Sequence, residues 1–285
     1  MQFWLIQTLN SLALGGLLFL LSAGFSLIFG LLRVANLTHG ALYMLGAYLG
    51  TSILTYVPNL WLAALLGGLL VAVLGGLFER LILRRLSGNE LGQVLVTLGV
   101  AYIIADVCLI VWGGDPIPVP TPEALQQPLE VAGFMFPSYR LAVVAIAVVT
   151  GILLYLLIER TRLGAMIRAG VDDMQMARAV GIPVSKLFTT VFCLGAGLAG
   201  AGGIIGGPIM SAYPGLDFDM LPLALIVVIL GGVGSLVGAF VGSFIIGFIY
   251  TFGIALFPQL AYVILFLPMI VVIAFRPRGL FGRAT

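Results

Sequence analysis

The sequence predicts an all-α fold, a polytopic membrane helix bundle of about eight or nine transmembrane helices. Of the 285 residues, 61% are hydrophobic and 8% are charged, and the mean hydropathy is +1.21. Soluble domains are about 45–50% apolar and about 25% charged. Apolar runs of roughly 20 residues, the length that crosses a ~30 Å hydrocarbon layer as a helix, recur along the chain. They do not alternate in polarity as barrel strands do, so we expect helices to span the membrane.

Taken in order, the separate apolar runs each predict one spanning helix. They cover 5–32, 40–57, 61–79, 91–112, 139–158, 187–207 and 259–275. The stretch 218–256 is long enough for two more helices, the first of them short. If 218–234 enters and leaves on the same side, the count falls to eight. No Lys or Arg precedes the first run, which is too long for a signal-peptide core, so we expect it to stay in the mature chain.

The basic residues predict the orientation of the helices. All of the 13 except Arg140 lie in four segments: Arg33; Arg80, Arg84 and Arg85; five residues within 159–187; and Arg276, Arg278 and Arg283. Cytoplasmic loops carry such an excess of Lys and Arg. The loops 113–138 and 208–219 contain acids without Lys or Arg and are expected outside. We therefore expect one transmembrane domain over 1–285, with its N-terminus outside and its C-terminus cytoplasmic.

Small residues indicate how the helices pack. Gly234, Gly238 and Gly242 are spaced at i, i+4, as are Ala199, Gly203 and Gly207, and such spacing lets helix backbones approach closely in a membrane. The two cysteines, Cys108 and Cys193, lie in apolar runs, and their spacing suggests neither a disulfide nor a metal site. The stretches 31–49 and 229–248 share a break followed by a Gly-containing helix, which leaves an internal repeat possible.

The basic segment 159–187 contains a short helix with clear end signals. Asp172 or Asp173 is suited to its N-cap, Gly181 to the left-handed position after its last turn, and Pro183 prevents continuation. We expect about two turns, with Met176 exposed enough to enter a groove. This pattern favours a docking element. The alternative is a membrane-surface loop whose arginines only fix the topology.

Four motifs resemble one family, the permease subunits of branched-chain amino acid ABC importers, in their LivH-like form. "RTRLGAMIRAGVDDMQMARAVGI" (160–182) resembles the family's cytoplasmic coupling loop. "GLLRVANLTHGALYMLGAYL" (30–49) is similar to its early signature, "VVILGGVGSLVGAFVGSFIIG" (227–247) to its late Gly-Gly-x-Gly-Ser segment, and "FRPRGLFGR" (275–283) to its basic ending. The motifs are separate, lie in the family's order and extend over nearly the whole chain.

The resemblance implies a permease in the inner membrane that translocates branched-chain or related small amino acids. It implies two cytoplasmic ATPase subunits, a second permease subunit that is identical or homologous, and an extracytoplasmic binding protein. The chain has no P-loop of its own, because its only lysine, Lys186, lies in "GIPVSKLF" and is followed by Leu. We therefore expect no catalytic residue, cofactor or metal site in this chain, and no nucleic acid partner beside the lipid bilayer. The expected ATPase-coupling residues are Arg162, Gly164, Arg168, Ala169, Asp172, Asp173, Met176, Ala177 and Gly181.

Polar breaks in the apolar runs predict the translocation pathway. Asn36 and Thr38 are suited to cap the second helix and Ser235 the penultimate one, so two positive helix ends could face a substrate carboxylate. His39 is expected to make a structural hydrogen bond at the membrane–cytosol boundary. Asp106, an acid inside an apolar run, is expected to pair with a substrate ammonium or with Arg140. The candidate pathway residues are Asn36, Thr38, His39, Gly40, Asp106, Gly231, Gly232, Gly234 and Ser235.

Other classes of function stay open at this point. An ion-coupled secondary transporter would need intramembrane acids or unwound helices, for which Asp106 and the break at 36–40 are the candidates. An intramembrane hydrolase could use Ser235 with His39, but no acid lies near either in sequence to orient the base. A simple channel would show a ring of charge or a filter motif, and neither is evident in the sequence. Within the same permease family, urea or amides are alternative substrates.

Overall fold

The computed structural model describes residues 2–32, 35–131, 134–276 and 279–282. The helices are α1 Gln2–Leu32, α2 Thr38–Tyr56, α3 Leu60–Leu81, α4 Glu90–Trp112, α5 Ser138–Arg160, α6 Arg162–Asp172, α7 Met174–Ala179, α8 Val184–Met210, α9 Leu216–Gly231, α10 Leu236–Leu256 and α11 Ala261–Phe275. Single 3-10 turns lie at Leu83–Leu86, Glu123–Leu125 and Pro258–Leu260. One antiparallel hairpin, β1 Leu129–Val131 and β2 Phe134–Phe136, lies in the loop before α5. The predicted all-α bundle is confirmed.

The long helices follow the apolar runs of the sequence. Among the described residues, six helical stretches are long and apolar enough to cross a membrane, namely Phe3–Leu32, Leu60–Leu86, Glu90–Trp112, Ser138–Arg160, Val184–Met210 and Leu236–Leu256. The other predicted runs correspond to α2, which contains more polar residues, and to α9 and α11, which have 16 and 15 residues. The basic residues Arg33, Arg278 and Arg283 lie outside the described residues.

Helices α1, α2 and α8 form the centre of the bundle. In the apolar 18-residue segment of α1, 83% of the residues are buried, whereas the corresponding fraction for α4 is 17%. α8 packs against α1, α2 and α3, and α1 also packs against α5 and α10. The side chains enclosed here include Phe19, Phe25, Tyr43, Tyr48 and Phe192. A helix so enclosed does not face lipid, which is why α2 tolerates Thr38 and His39 in its first turn.

Glycines bring the backbone of α8 into direct contact with its neighbours. A Cβ on Gly46 would lie 2.5 Å from the Cα of Gly200, and one on Gly203 would lie 2.9 Å from the backbone nitrogen of Ala47. A Cβ on Gly24 of α1 would lie 2.5 Å from the carbonyl oxygen of Gly195. Such separations leave no room for a side chain. The close packing predicted for the stripe that contains Gly203 is confirmed.

Two helices begin inside the bundle instead of at its ends. Thr38, the first residue of α2, donates to the carbonyl of Thr97, 2.8 Å away and well inside α4. The following turn packs on the start of α9, where a Cβ on Gly40 would lie 2.7 Å from the Asp217 carbonyl oxygen. From this meeting point α2 runs towards the end of the bundle at Trp112, and α9 runs towards the end that holds the last turn of α1. The chain therefore has two interior helix starts that lie side by side.

We expect the variant Gly46→Ala to lower the free energy of unfolding by about 1–3 kcal/mol, because the added methyl group overlaps the backbone of α8. The measurement is the melting temperature of the isolated, detergent-solubilised protein. Gly99→Ala is the matched control, since a Cβ on Gly99, also helical, meets nothing within 4 Å. Its melting temperature should equal or slightly exceed that of the parent. Equal values for the two variants would contradict the packing argument.

Candidate functional site

Two short helices, α6 and α7, connect α5 to α8 at the end of the bundle that carries Arg80, Arg84 and most of the basic segment. We call this end the basic end, and residues 161–183 the α6–α7 segment. The Thr161 hydroxyl accepts from the Gly164 amide at 3.1 Å and begins α6. The Asp173 carboxylate accepts from the Gln175 and Met176 amides at 2.8 and 2.9 Å and begins α7. Gly181 follows α7 with φ +89°, so the predicted caps at Asp173 and Gly181 are confirmed.

Sequence reasoning missed α6 as a separate helix. Its apolar side is narrow, because Ile167 and the glycines at 164 and 170 are its buried residues. The signal was present: Thr161 is a favourable N-cap, and the buried positions recur at i, i+3. The observed α7 is also shorter than the expected two turns, since it ends at Ala179.

The α6 helix is fastened to the last turn of α5. Arg168 donates to the carbonyl of Ile158 and lies 3.4 Å from the Glu159 carboxylate. A Cβ on Gly164 would overlap the same Ile158 carbonyl, so only glycine allows α6 to turn back this tightly. Two of the predicted coupling residues, Gly164 and Arg168, thus hold the segment in place. The half-buried Ala169 contributes through its carbonyl, which accepts the Asp173 amide at 3.0 Å.

The α7 helix presents apolar side chains to solvent. Met176 is 60% exposed and Val180 is 69% exposed, whereas Ala177 is buried. Arg178 lies exposed between the two apolar residues. The α6–α7 segment thus exposes two apolar side chains and a cation at the basic end.

A cavity of about 740 Å³ opens beside α7 at the basic end. It is bounded by the ends of α1 and α3, the first turn of α4 and the start of α8. Charged residues on its wall are Glu79, Arg84, Glu90, Asp172, Asp173 and Arg178. One basic residue after α3, Arg84, and one of the α6–α7 segment, Arg178, therefore share a polar space with four acids.

A buried ion pair connects α3 to the start of α8. Glu79 is 1% exposed, and its carboxylate lies 3.1 Å from Nη2 of Arg84 and accepts from the Thr189 hydroxyl at 2.7 Å. Arg84 also donates to the carbonyl of Ser185 at 2.9 Å. A buried carboxylate needs such partners to be tolerated, and removing one of them is strongly destabilising. The pair was missed, although Glu79 at the end of an apolar run with Arg84 five residues later was a usable signal.

The first candidate pathway residues lie at the interior start of α2. The Asn36 side chain accepts from the Thr38 amide at 3.2 Å, but Leu37 occupies the N-cap and makes no side-chain capping bond. The expectation that Thr38 caps its own helix is wrong, because its hydroxyl donates across to α4. His39 makes the predicted structural hydrogen bond, 3.0 Å from the Leu21 carbonyl. That carbonyl lies in the interior of α1, so the expected position at the boundary is wrong.

The second break lies at the basic end of the bundle. Ser235 accepts from the Gly238 amide at 3.0 Å and begins α10, as predicted. The turn before it uses Gly232 and Gly234 at φ +101° and +75°, and Gly234 packs on Gly30 in the last turns of α1. Leu280 and Phe281 donate to the carbonyls of Leu230 and Gly231 at 2.8 and 3.0 Å. The structure therefore does not bring the starts of α2 and α10 together.

The acids are placed differently from expectation. Asp106 is exposed on α4, and within the described residues neither Arg140 nor another group forms a hydrogen bond or ion pair with it. Asp217, expected in an outer loop, is 4% exposed in the first turn of α9, beside Gly40. One of its carboxylate oxygens has no partner among the described residues. The same holds for the buried hydroxyls of Tyr43 and Tyr48 and for Nδ1 of His39. Among the described residues, buried polar atoms without a hydrogen-bond partner thus occur in the first turns of α2 and α9, at His39 and Asp217, and further along α2 at Tyr43 and Tyr48.

Known proteins resemble the chain along nearly its whole length. It matches the family described as branched-chain amino acid transport system / permease component over residues 7–273. It is 28% identical to the high-affinity branched-chain amino acid transport system permease protein BraD of Pseudomonas aeruginosa, over 98% of this chain and 96% of that protein. It is 25% identical to LivH of Escherichia coli K12 and 24% identical to LivH of Salmonella typhimurium, in each case over 99% of this chain and 96% of the relative.

No solved structure matches the chain. The family match nevertheless covers most of the sequence, and the apolar helices of the described residues agree with a membrane permease. The chain therefore belongs to the branched-chain amino acid transport system permease family.

Proposed function

We propose that this chain is the transmembrane permease subunit of an ATP-driven ABC importer in the inner membrane, carrying branched-chain or related small amino acids. The observation that supports this most directly is the capped α7, which presents Met176 to solvent in a chain of this permease family. ATP is hydrolysed by two separate cytoplasmic ATPase subunits. An extracytoplasmic binding protein delivers the substrate, and a second permease subunit, identical or homologous, completes the membrane unit.

The charge distribution supports a cytoplasmic position for the basic end. Arg84 follows α3 and Arg178 lies in the α6–α7 segment, yet both line one cavity, so two of the basic segments of the sequence meet at one end of the bundle. The loops 113–138 and 208–219 then face outward, the N-terminus lies outside and the C-terminus inside. On this orientation the α6–α7 segment, within 159–187, is the coupling loop.

The contacts of the segment suggest how ATPase movement reaches the helices. Met176, Val180 and Arg178 enter a groove on the ATPase, while Asp173 and Gly181 keep α7 in shape. Arg168 and Gly164 connect the segment to α5. On its other side the segment continues into α8, which Arg84 and Glu79 join to α3. Movement of α7 is thereby applied to three spanning helices. Arg162 and Asp172, exposed at the two ends of α6, are the remaining candidate contacts.

The pathway residues divide into separate tasks under this proposal. Asn36, Thr38, His39 and Gly40 form the interior start of α2, beside the first turn of α9. Gly231, Gly232, Gly234 and Ser235 form the cytoplasmic turn between α9 and α10. Asp106 faces away from the bundle and attracts the ammonium group of the substrate from there.

One observation favours a second candidate function. The buried Asp217, with an oxygen lacking a partner among the described residues, is the kind of intramembrane acid that an ion-coupled carrier uses. Within the family proposal, urea or amides are the alternative substrates.

Reconstitution distinguishes these functions. Liposomes containing the permease pair, with or without the ATPases, are loaded with ATP and supplied externally with binding protein and radiolabelled leucine or urea. We expect leucine accumulation only when both ATPases and ATP are present. Accumulation by the permeases alone, abolished by an ionophore, would overturn the ATP-driven function and support the ion-coupled one. Accumulation of urea in place of leucine would overturn the substrate assignment.

The exposed methionine on α7 gives a sharp test of docking. We expect Met176→Glu to lower the ATPase copurified with the permease at least about tenfold, because a charge replaces an apolar side chain in a desolvated groove. The same substitution at Met135 is the control, since that residue is 65% exposed on the hairpin at the opposite end. If both variants retain equal ATPase, α7 is not the docking element.

The turn after α7 gives a second test, of coupling. Gly181 has φ +89° with open space around it, so a valine there strains the backbone by about 1–2 kcal/mol without any clash. We expect Gly181→Val to uncouple ATP hydrolysis from transport. The number of leucine molecules taken up per ATP hydrolysed should fall several-fold. Gly181→Asn is the control, because asparagine tolerates the left-handed conformation. Unchanged stoichiometry in the valine variant would count against this role.

A further inference from the structure

Of the six described stretches that are long and apolar enough to cross a membrane, α4 is the one that the rest of the chain covers least. In its apolar 18-residue segment 17% of the residues are buried, whereas the corresponding fraction is 22% for α5, 33% for α10 and 44% for the α3 stretch. Its main neighbour within the chain is α2. The opposite side of α4 is open, and Ile110 on it is 82% exposed. Whatever covers this side in the membrane lies outside the chain.

This open side of α4 carries an acid within the span, unlike the exposed sides of α3 and α5. Tyr102 and Asp106, one turn apart on α4, are both exposed. The Tyr102 ring lies 5.7 Å from the ring of Phe218 on α9, and the exposed Asp219 follows Phe218 directly. We call these residues, with Ile110, the α4/α9 surface: Tyr102, Asp106, Ile110, Phe218 and Asp219. It joins two carboxylates to an aromatic pair.

The exposed sides of α3 and α5 provide the comparison. Their large exposed residues inside the spans are aliphatic or aromatic, for example Leu65, Leu69, Val149 and Leu153. Charged residues on these two helices either lie in the end turns or, like Glu79, are buried and paired. Lipid suits such surfaces. A carboxylate at the centre of a spanning helix costs roughly 2.5–3.5 kcal/mol in lipid on insertion scales, and Asp106 lies two turns from the end of α4. The α4/α9 surface is therefore less suited to acyl chains than the exposed sides of α3 and α5.

The position of Asp106 restricts which protein can cover it. It lies inside α4, two turns before Trp112, which bonds to Ser52 near the end of α2. ATPases dock at the basic end and a soluble binding protein docks at the opposite end, so neither reaches the interior of a spanning helix. Among the partners of the proposed importer, only another membrane-embedded subunit has that access.

We propose that the α4/α9 surface faces the second permease subunit across a water-filled seam, and that this seam is the translocation path. The inference rests on the proposed function. Water in the seam keeps the carboxylates of Asp106 and Asp219 hydrated, and their charge attracts the ammonium group of the substrate. The aromatic pair Tyr102–Phe218 supplies the apolar contact with the second subunit.

Photo-crosslinking tests which surface meets the second permease. Benzoylphenylalanine replaces Tyr102 or Phe218 in the complete complex, and Leu69 and Leu153 are the control sites, 62% and 61% exposed. We expect irradiation to give a covalent pair of permease chains from Tyr102 and Phe218 and none from the controls. A permease pair from the controls alone, or no pair from any site, would overturn the proposal.

Cysteine labelling tests the water in the seam. In a background where Cys108 and Cys193 are alanine, the variants Asp106→Cys and Leu153→Cys are exposed to a membrane-impermeant maleimide in sealed vesicles. We expect labelling at position 106 to exceed that at 153 at least about tenfold. Equally low labelling at positions 106 and 153 would overturn the proposal of a water-filled seam. ATP dependence of leucine uptake in the parent complex is measured separately. Loss of that dependence would refute the proposed function, while the crosslinks would still report the permease contact.

Discussion

Backbone contact between helices, made possible by glycine, is the constraint on which the rest of the structure depends. In a membrane the helices gain nothing from hiding apolar side chains, because lipid is equally apolar, so dispersion contacts at short range hold them together. Gly200 and Gly203 of α8 meet Gly46 and the backbone near Tyr43, while Gly195 meets Gly24 of α1. These contacts enclose α2. An enclosed α2 can begin in the interior and carry His39 there without exposing it to lipid.

The interior starts of α2 and α9 give the bundle a polar centre within apolar walls. Their backbone amides, the Asp217 carboxylate and the hydroxyls of Tyr43 and Tyr48 lie among side chains that offer few hydrogen bonds. Such groups are costly to bury without partners. At the basic end the cost of burying a carboxylate is offset, because Glu79 is paired with Arg84 and Thr189. Glu79 and Asp217 therefore differ in kind: the first joins helices, and the second has an oxygen without a partner among the described residues.

Much of the fold was predictable because its signals are local. Runs of apolar residues placed the spanning helices, and Asp173 and Gly181 placed the ends of α7 through their own backbone preferences. Ser235 likewise placed the start of α10. The depth at which α2 and α9 begin was not predictable, since it depends on α4 and α8 packing around Thr38 and Gly40. For the same reason the sequence did not predict the burial of Asp217, and the expected pair of Asp106 with Arg140 does not form among the described residues. Whether a residue faces lipid or protein depends on tertiary contacts that hydropathy does not contain.

The glycine seam along α8 also bears on how this bundle deforms. Most packed helices interlock through side chains, so any axial shift requires many rotamers to change together. Where α8 meets Gly24 and Gly46, backbone lies on backbone, and the neighbouring Ile28 side chain of α1 fits against Gly195. A helix held in this way cannot shift along its axis without bringing a side chain into the place of a glycine. The centre of the bundle is thus expected to move as one piece, so larger displacements fall on the helices around it.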